Sequence, residues 1–218
     1  MSNEYKTGSE REAAIDLEGC LVQVDASKAW FARRVLPLSI DQLRWRPGPR
    51  RWSIAECLEH LHLTFGLYLP KVDDAIRAGW LGGLAPTGVL QYEPAELEAL
   101  KLIEPPVTVR VSAPRAIVPV AAVDADCLVG RFHQSRDRYA EAVRRAFGLD
   151  LARILVVEPI YPPIRSLGGT LAFLAAHDRR HIWQADQIRS APRFPRTPFG
   201  AWGRTERDSI GPRAPTEG

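Results

Sequence analysis

Two histidines, His177 and His181, stand one helical turn apart near the C-terminal end of the chain. They lie within Leu167 to Ile188, where Leu167, Leu171, Leu174, His181, Ala185 and Ile188 recur at helical spacing. At about 100° per residue, His177 and His181 fall about 60° and about 20° from Leu174, on the face that should be buried. Two imidazoles so placed can bind one divalent metal ion. A metal site needs at least a third ligand, and His60 is the best candidate. It lies at the edge of the apolar face of an earlier helix, whereas His62 points about 200° away from it, among Ala55, Glu59 and Asp73. One neighbour is thus expected inside and the other in water. One histidine from one helix and two from another would leave a coordination position open for water or substrate, the arrangement of a catalytic metal.

The residues around these three admit plainer roles. Glu56, one turn before His60, completes a capping box with Ser53, and that role is favoured over general base chemistry. Asp178 falls on the inner side of its helix, either to orient a ligand histidine or to pair with an arginine. Cys57 reads as a small buried hydrophobe rather than a thiolate ligand. His133 reads as a surface residue. Arg179 and Arg180 read as solvated helix charges, with Arg180 able to meet an anionic substrate.

Four helices must position this set. Ala14, Leu17, Leu21, Val24, Phe31 and Val35 form a stripe that predicts a helix from about Arg11 to Val35, ended by Leu36-Pro37. A proline-rich linker follows, in which Leu43, Trp45 and Trp52 plug one end of the core. The second helix starts at Ser53 and runs towards Arg77, with Gly79 as its stop and Pro70 inside it. Residues 80 to 124 carry no sustained helical period; 94–98 make one helical turn or two, and 107–111 alternate like an extended piece. So long a connection is unusual in a compact domain and is often a wall or lid of a site. The period returns at Leu128, Phe132, Tyr139, Val143 and Ala146, a third helix ending at Gly148. A connector with extended Ile154 to Val157 leads to the histidine helix, capped by Ser166 or Thr170. Four helices with two long excursions predict an all-α fold, a four-helix bundle with long irregular connections. Residues 1–189 are read as a single bundle domain, and 190–218 as a Pro/Arg/Gly-rich tail.

Composition excludes several classes. The chain has 218 residues, 45% of them hydrophobic and 25% charged, which supports one globular domain with a real core. Its 29 basic residues are spread among 26 acidic ones, so no polybasic run argues for nucleic acid. No apolar run is long enough to span a bilayer, and the polar start lacks the apolar core of a signal peptide. Cys20, Cys57 and Cys127 are odd in number and far apart, which points to a reducing compartment, the cytoplasm.

The segments Trp52-Ser53-Ile54-Ala55-Glu56-Cys57-Leu58-Glu59-His60-Leu61 and His177-Asp178-Arg179-Arg180-His181-Ile182-Trp183-Gln184 resemble the DinB-like superfamily. Its members include the YfiT-type proteins regarded as metal-dependent hydrolases, and several thiol-transferring enzymes. Helix order and motif spacing extend the resemblance over most of residues 11 to 189. It implies a bundle of the DinB/YfiT type and metal ligands at His60, His177 and His181, with nickel or zinc as the ion. Gln184 also matches a common family pattern. The excursion at 80–124 has no counterpart in the minimal pattern, so no substrate carries over.

These readings converge on a divalent-metal-dependent enzyme, a hydrolase or thiol transferase acting on a small molecule such as a low-molecular-weight thiol. The alternative is a non-catalytic ligand-binding or dimerising bundle with a structural or vestigial metal site. No nucleic acid or membrane partner is expected. Trp183 lies about 180° from Leu174, on the outward face. A bare tryptophan there would call for a cover, either the tail at 194–202 or, the favoured reading, a second chain in a homodimer.

Overall fold

The computed structural model describes residues 14–108, 111–120, 125–157, 159–160 and 165–196. Among these residues there are six α-helices, a single 3₁₀ turn and no strand. The four long helices are α1 (Leu17–Arg34), α3 (Ile54–Leu81), α5 (Ala125–Ala146) and α6 (Leu167–Arg189). Two short helices join them, α2 (Ile40–Arg44) and α4 (Pro94–Ile103), together with the 3₁₀ turn Arg115–Ile117. The fold is the all-α bundle expected.

The boundaries follow local chemistry. Helix α1 begins later than its apolar stripe, because Ala14 pairs antiparallel with Gln91 and Ile15 donates its N–H to Leu90. The chain is extended there until the Asp16 carboxylate takes the Gly19 N–H at 2.8 Å and starts the helix. Helix α2 lies in the stretch expected as linker, where Ser39 and Gln42 form a capping box and Leu43 is buried. Helix α3 starts at the Ser53–Glu56 capping box, as expected, but it does not stop at Gly79. A Cβ at Gly79 would lie 2.5 Å from Ile154 Cδ1, so this glycine serves the close approach of the 149–157 connector, and the helix ends at Gly82. Helix α4 is a full ten residues, longer than the one or two turns expected. Ser166 is the cap of α6.

Helix α3 is the central element: it packs against both α5 and α6, while α1 crosses the same two helices and α4 lies on α6. The core divides into two apolar clusters along the bundle. One gathers Phe65, Tyr68, Val72, Tyr139, Val143, Leu171 and Leu174. The other gathers Phe31, Leu43, Ile54, Leu58, Phe132, Ala185 and Ile188. Between them every long helix contributes a buried polar residue: Ser27 from α1, His60 from α3, Arg136 from α5, and His177, Asp178 and His181 from α6. Burying polar groups at this level is costly unless they meet partners.

Candidate metal centre

His60, His177 and His181 meet in that polar layer. Their relative exposures are 2%, 4% and 5%, so all three face the interior. The ring centroids form a near-equal triangle: 5.1 Å between His60 and His177, 4.5 Å between His60 and His181, and 4.6 Å between His177 and His181. His60 Nε2 lies 3.0 Å from His177 Nε2, and one nitrogen from each ring falls within 4.8 Å of the others. Two nitrogens bound to one tetrahedral ion are about 3.3 Å apart, given metal–nitrogen bonds of about 2.0–2.1 Å. The set therefore fits a divalent ion, and a three-histidine site here can hold one.

The protonation states favour the same use. Burial is the main cause that lowers His60 from its usual 6.5 to about 4; the hydrogen bond to Ile117 opposes it and the charge of Arg180 adds to it. His177 and His181 are also held well below that range, first by burial and then by the neighbouring histidines and Arg180. All three are neutral at pH 7, the form that binds metal. His60 Nδ1 donates to the backbone carbonyl of Ile117 at 2.7 Å, in the 3₁₀ turn. His181 Nδ1 is buried without a hydrogen bond of ordinary geometry, and Gln184 is the weakest of the influences on that ring. A buried polar atom so placed is in want of a partner.

Aromatic rings wall the cluster. Trp52, half-buried just before the α3 cap, lies 4.8 Å from His60 and 5.9 Å from His181, centroid to centroid. Phe173 lies 5.2 Å from His177. An open cleft of about 460 Å³, lined by Ile76, Trp80, Arg144 and Phe147, is elsewhere. Its α3 residues start sixteen positions beyond His60, about 24 Å along the helix.

The other residues singled out from the sequence take plainer roles. Glu56 caps α3 and takes Arg46 as its ion-pair partner. Asp178 points away from the histidines, into an ion pair with Arg136. Ser27 donates to the same carboxylate, and Gln23 does so at 3.4 Å. Cys57 is fully buried in apolar surroundings, and burial pushes its thiol well above the usual range. His62 is half-buried rather than in water, 3.1 Å from Ser135 Oγ, because α5 packs over that side of α3. His133 sets its ring edge-on to Phe31 and Phe132. Arg179 is no free helix charge: it grips Glu104 at the end of α4, with Nε at 2.9 Å. Trp183, expected to need a cover from the tail or a second chain, is half-buried in the single chain. Phe194 is buried against Trp45 instead, and residues 197–202 lie outside those described.

Two features of the site escaped the sequence. Arg136 had a signal: it follows Phe132 by four and precedes Tyr139 by three, on the apolar stripe of α5. The Ile117 carbonyl had none, because every residue carries one.

Fold and site together define a helical bundle with a buried three-histidine cluster between its core halves. Residues 23–185 match the DinB superfamily, and the chain belongs to it. Neither the curated proteins nor the solved structures hold a match to the chain. Among the described residues no helix is long and apolar enough to cross a membrane.

Proposed function

We propose that His60, His177 and His181 hold one divalent ion, zinc or nickel, and that the protein uses it as a hydrolase or thiol transferase on a small molecule. The observation that carries this reading is the convergence of three neutral, buried imidazoles from two helices, with no carboxylate among them. Three protein ligands leave a position for water or substrate, whereas closed structural sites use four. A bound divalent ion supplies positive charge that brings water or a thiol towards its anionic form near pH 7. The chain's residues do the rest. Trp52 and Phe173 exclude water from the imidazoles, and the Ile117 carbonyl holds one of them in place. Arg180 presents positive charge to all three rings, which suits an anionic substrate or leaving group. The rival reading, a non-catalytic bundle with a structural ion, is favoured by the enclosure of the cluster.

Metal analysis of protein purified without a nickel column, followed by a screen of thiol acceptors and esters, separates the two. His60→Ala should strip most of the metal, while His62→Ala leaves occupancy nearly intact; equal loss from both would sink the assignment. Metal without turnover across the screen would favour the structural ion.

A further inference from the structure

The excursion between α3 and α5 reaches the histidine cluster through one backbone atom. Ile117 is fully buried, and its carbonyl takes the hydrogen bond from His60 Nδ1 at 2.7 Å. A carbonyl can only accept, so Nδ1 must carry the ring's proton. With Nδ1 protonated, the neutral ring has its lone pair on Nε2, the atom 3.0 Å from His177 Nε2. The tautomer of a neutral imidazole is set by the bond its other nitrogen makes.

The turn that offers this carbonyl is held in place. Its Ile117 N–H donates to Pro114 at 3.0 Å, and the buried Ile117 side chain pins it to the bundle next to α3. Upstream, α4 is tied to α6 at two points. The buried Glu96 carboxylate takes the N–H groups of Arg165 and Ser166, at 2.8 and 2.6 Å, at the α6 cap. It fits there because Gly169 has no Cβ, which would stand 2.7 Å from Glu96 Oε1. Glu104 then pairs with Arg179, two residues from each of His177 and His181. The excursion is thus fastened to the helix that carries two of the histidines before it reaches the third.

We propose that Ile117 is a positioning residue of the metal site: its backbone carbonyl selects the Nδ1-protonated form of His60 and aims Nε2 inward as the ligand atom. This rests on the metal reading above. Partners of this kind contribute about tenfold to a hundredfold in metal affinity. The side chain of Ile117 matters because it seats the turn, and any residue filling the same space should serve.

Nitrogen-15 spectra of the metal-free wild type, with labelled histidine, read the tautomer directly. His60 should carry its proton on Nδ1; a proton on Nε2 overturns the proposal whatever the variants do. Zinc titrations then compare wild type, Ile117→Val and Ile117→Gly. The valine variant should bind as wild type does. The glycine variant should bind at least about tenfold more weakly, and its His60 should lose the Nδ1–H signature while the helical circular dichroism is kept. Zinc affinity unchanged in Ile117→Gly overturns this inference alone. A wild type that takes up neither zinc nor nickel overturns the metal reading and this inference with it.

Discussion

The polar layer of the bundle has two halves, built on opposite principles although Asp178 is the residue after His177. In one half Arg136 and Asp178, 1% and 2% exposed, form an ion pair sealed from water. Ser27 and Gln23 supply further donors to the carboxylate, and the Arg136 guanidinium lies 3.8 Å from the Phe132 ring centroid and 5.2 Å from that of Phe65. Burial lowers the arginine, and the Asp178 charge works against that. This half ties α1, α5 and α6 together, and all but the Arg136 Nε is accounted for. The other half keeps its groups neutral, with His181 Nδ1 lacking a bond and two nitrogens facing each other. A buried layer that only had to hold helices together would look like the first half. The second, three buried imidazoles with ligand atoms within reach of one another, could hold a metal ion.

Breaking the ionic half should have the largest effect. Asp178→Ala leaves a guanidinium buried without its counter-charge and should destabilise the fold by about 3–5 kcal/mol. Urea denaturation of the metal-free protein checks this. Replacing both partners, Arg136→Met with Asp178→Leu, should recover most of that loss, since apolar pairs of similar volume commonly match buried ion pairs. A double variant as unstable as the single one would mean that the pair does more than balance its own charge.

The histidine half should reveal itself through acid. Unfolded histidines take up protons near pH 6.5, while His60 in the fold resists until about 4. The unfolded state therefore binds more protons between those values, and metal-free stability should fall as pH drops from 6.5 towards 4. His60 alone should account for about 3 kcal/mol of that fall. The measurement is the difference in denaturation between wild type and His60→Gln at pH 7 and at pH 4.5, in which carboxylate titration common to both cancels. Equal pH dependence in the two proteins would show that the His60 ring is not held neutral by burial.

The smallest effect sharpens the boundary between the halves. Ser27→Ala removes one hydroxyl donor from Asp178 and should cost about 1–2 kcal/mol. Zinc affinity should stay within about twofold of wild type, because Ser27 touches the ionic half only. A large change in zinc binding would mean that the halves are coupled through the α6 backbone.

Much of this arrangement was legible before folding. The Ser53–Glu56 box and the apolar stripes locate α3, α5 and α6, since capping and helical periodicity are short-range physics. Helical geometry likewise turns His60, His177 and His181 to inward faces while His62 turns elsewhere. The end of α3 was not legible, because a glycine ends a helix where it turns left-handed, whereas Gly79 stays helical and serves the close approach of Ile154. The exposure of His62 was not legible either: a helical wheel separates faces but does not say which neighbour covers them, here Ser135 of α5.

The sequence by itself determined the four long helices, the Ser53–Glu56 cap of α3 and the faces on which the three histidines lie, because each depends on residues within one or two turns. Tertiary structure alone decided what those faces meet. It joined Arg136 to Asp178 across 42 residues and Glu96 to Ser166 across 70. It brought the carbonyl of Ile117 to the ring of His60 across 57. Such pairings depend on how helices dock and where long excursions close. A backbone carbonyl, alike in every residue, becomes a specific partner only when the fold puts it beside a particular nitrogen.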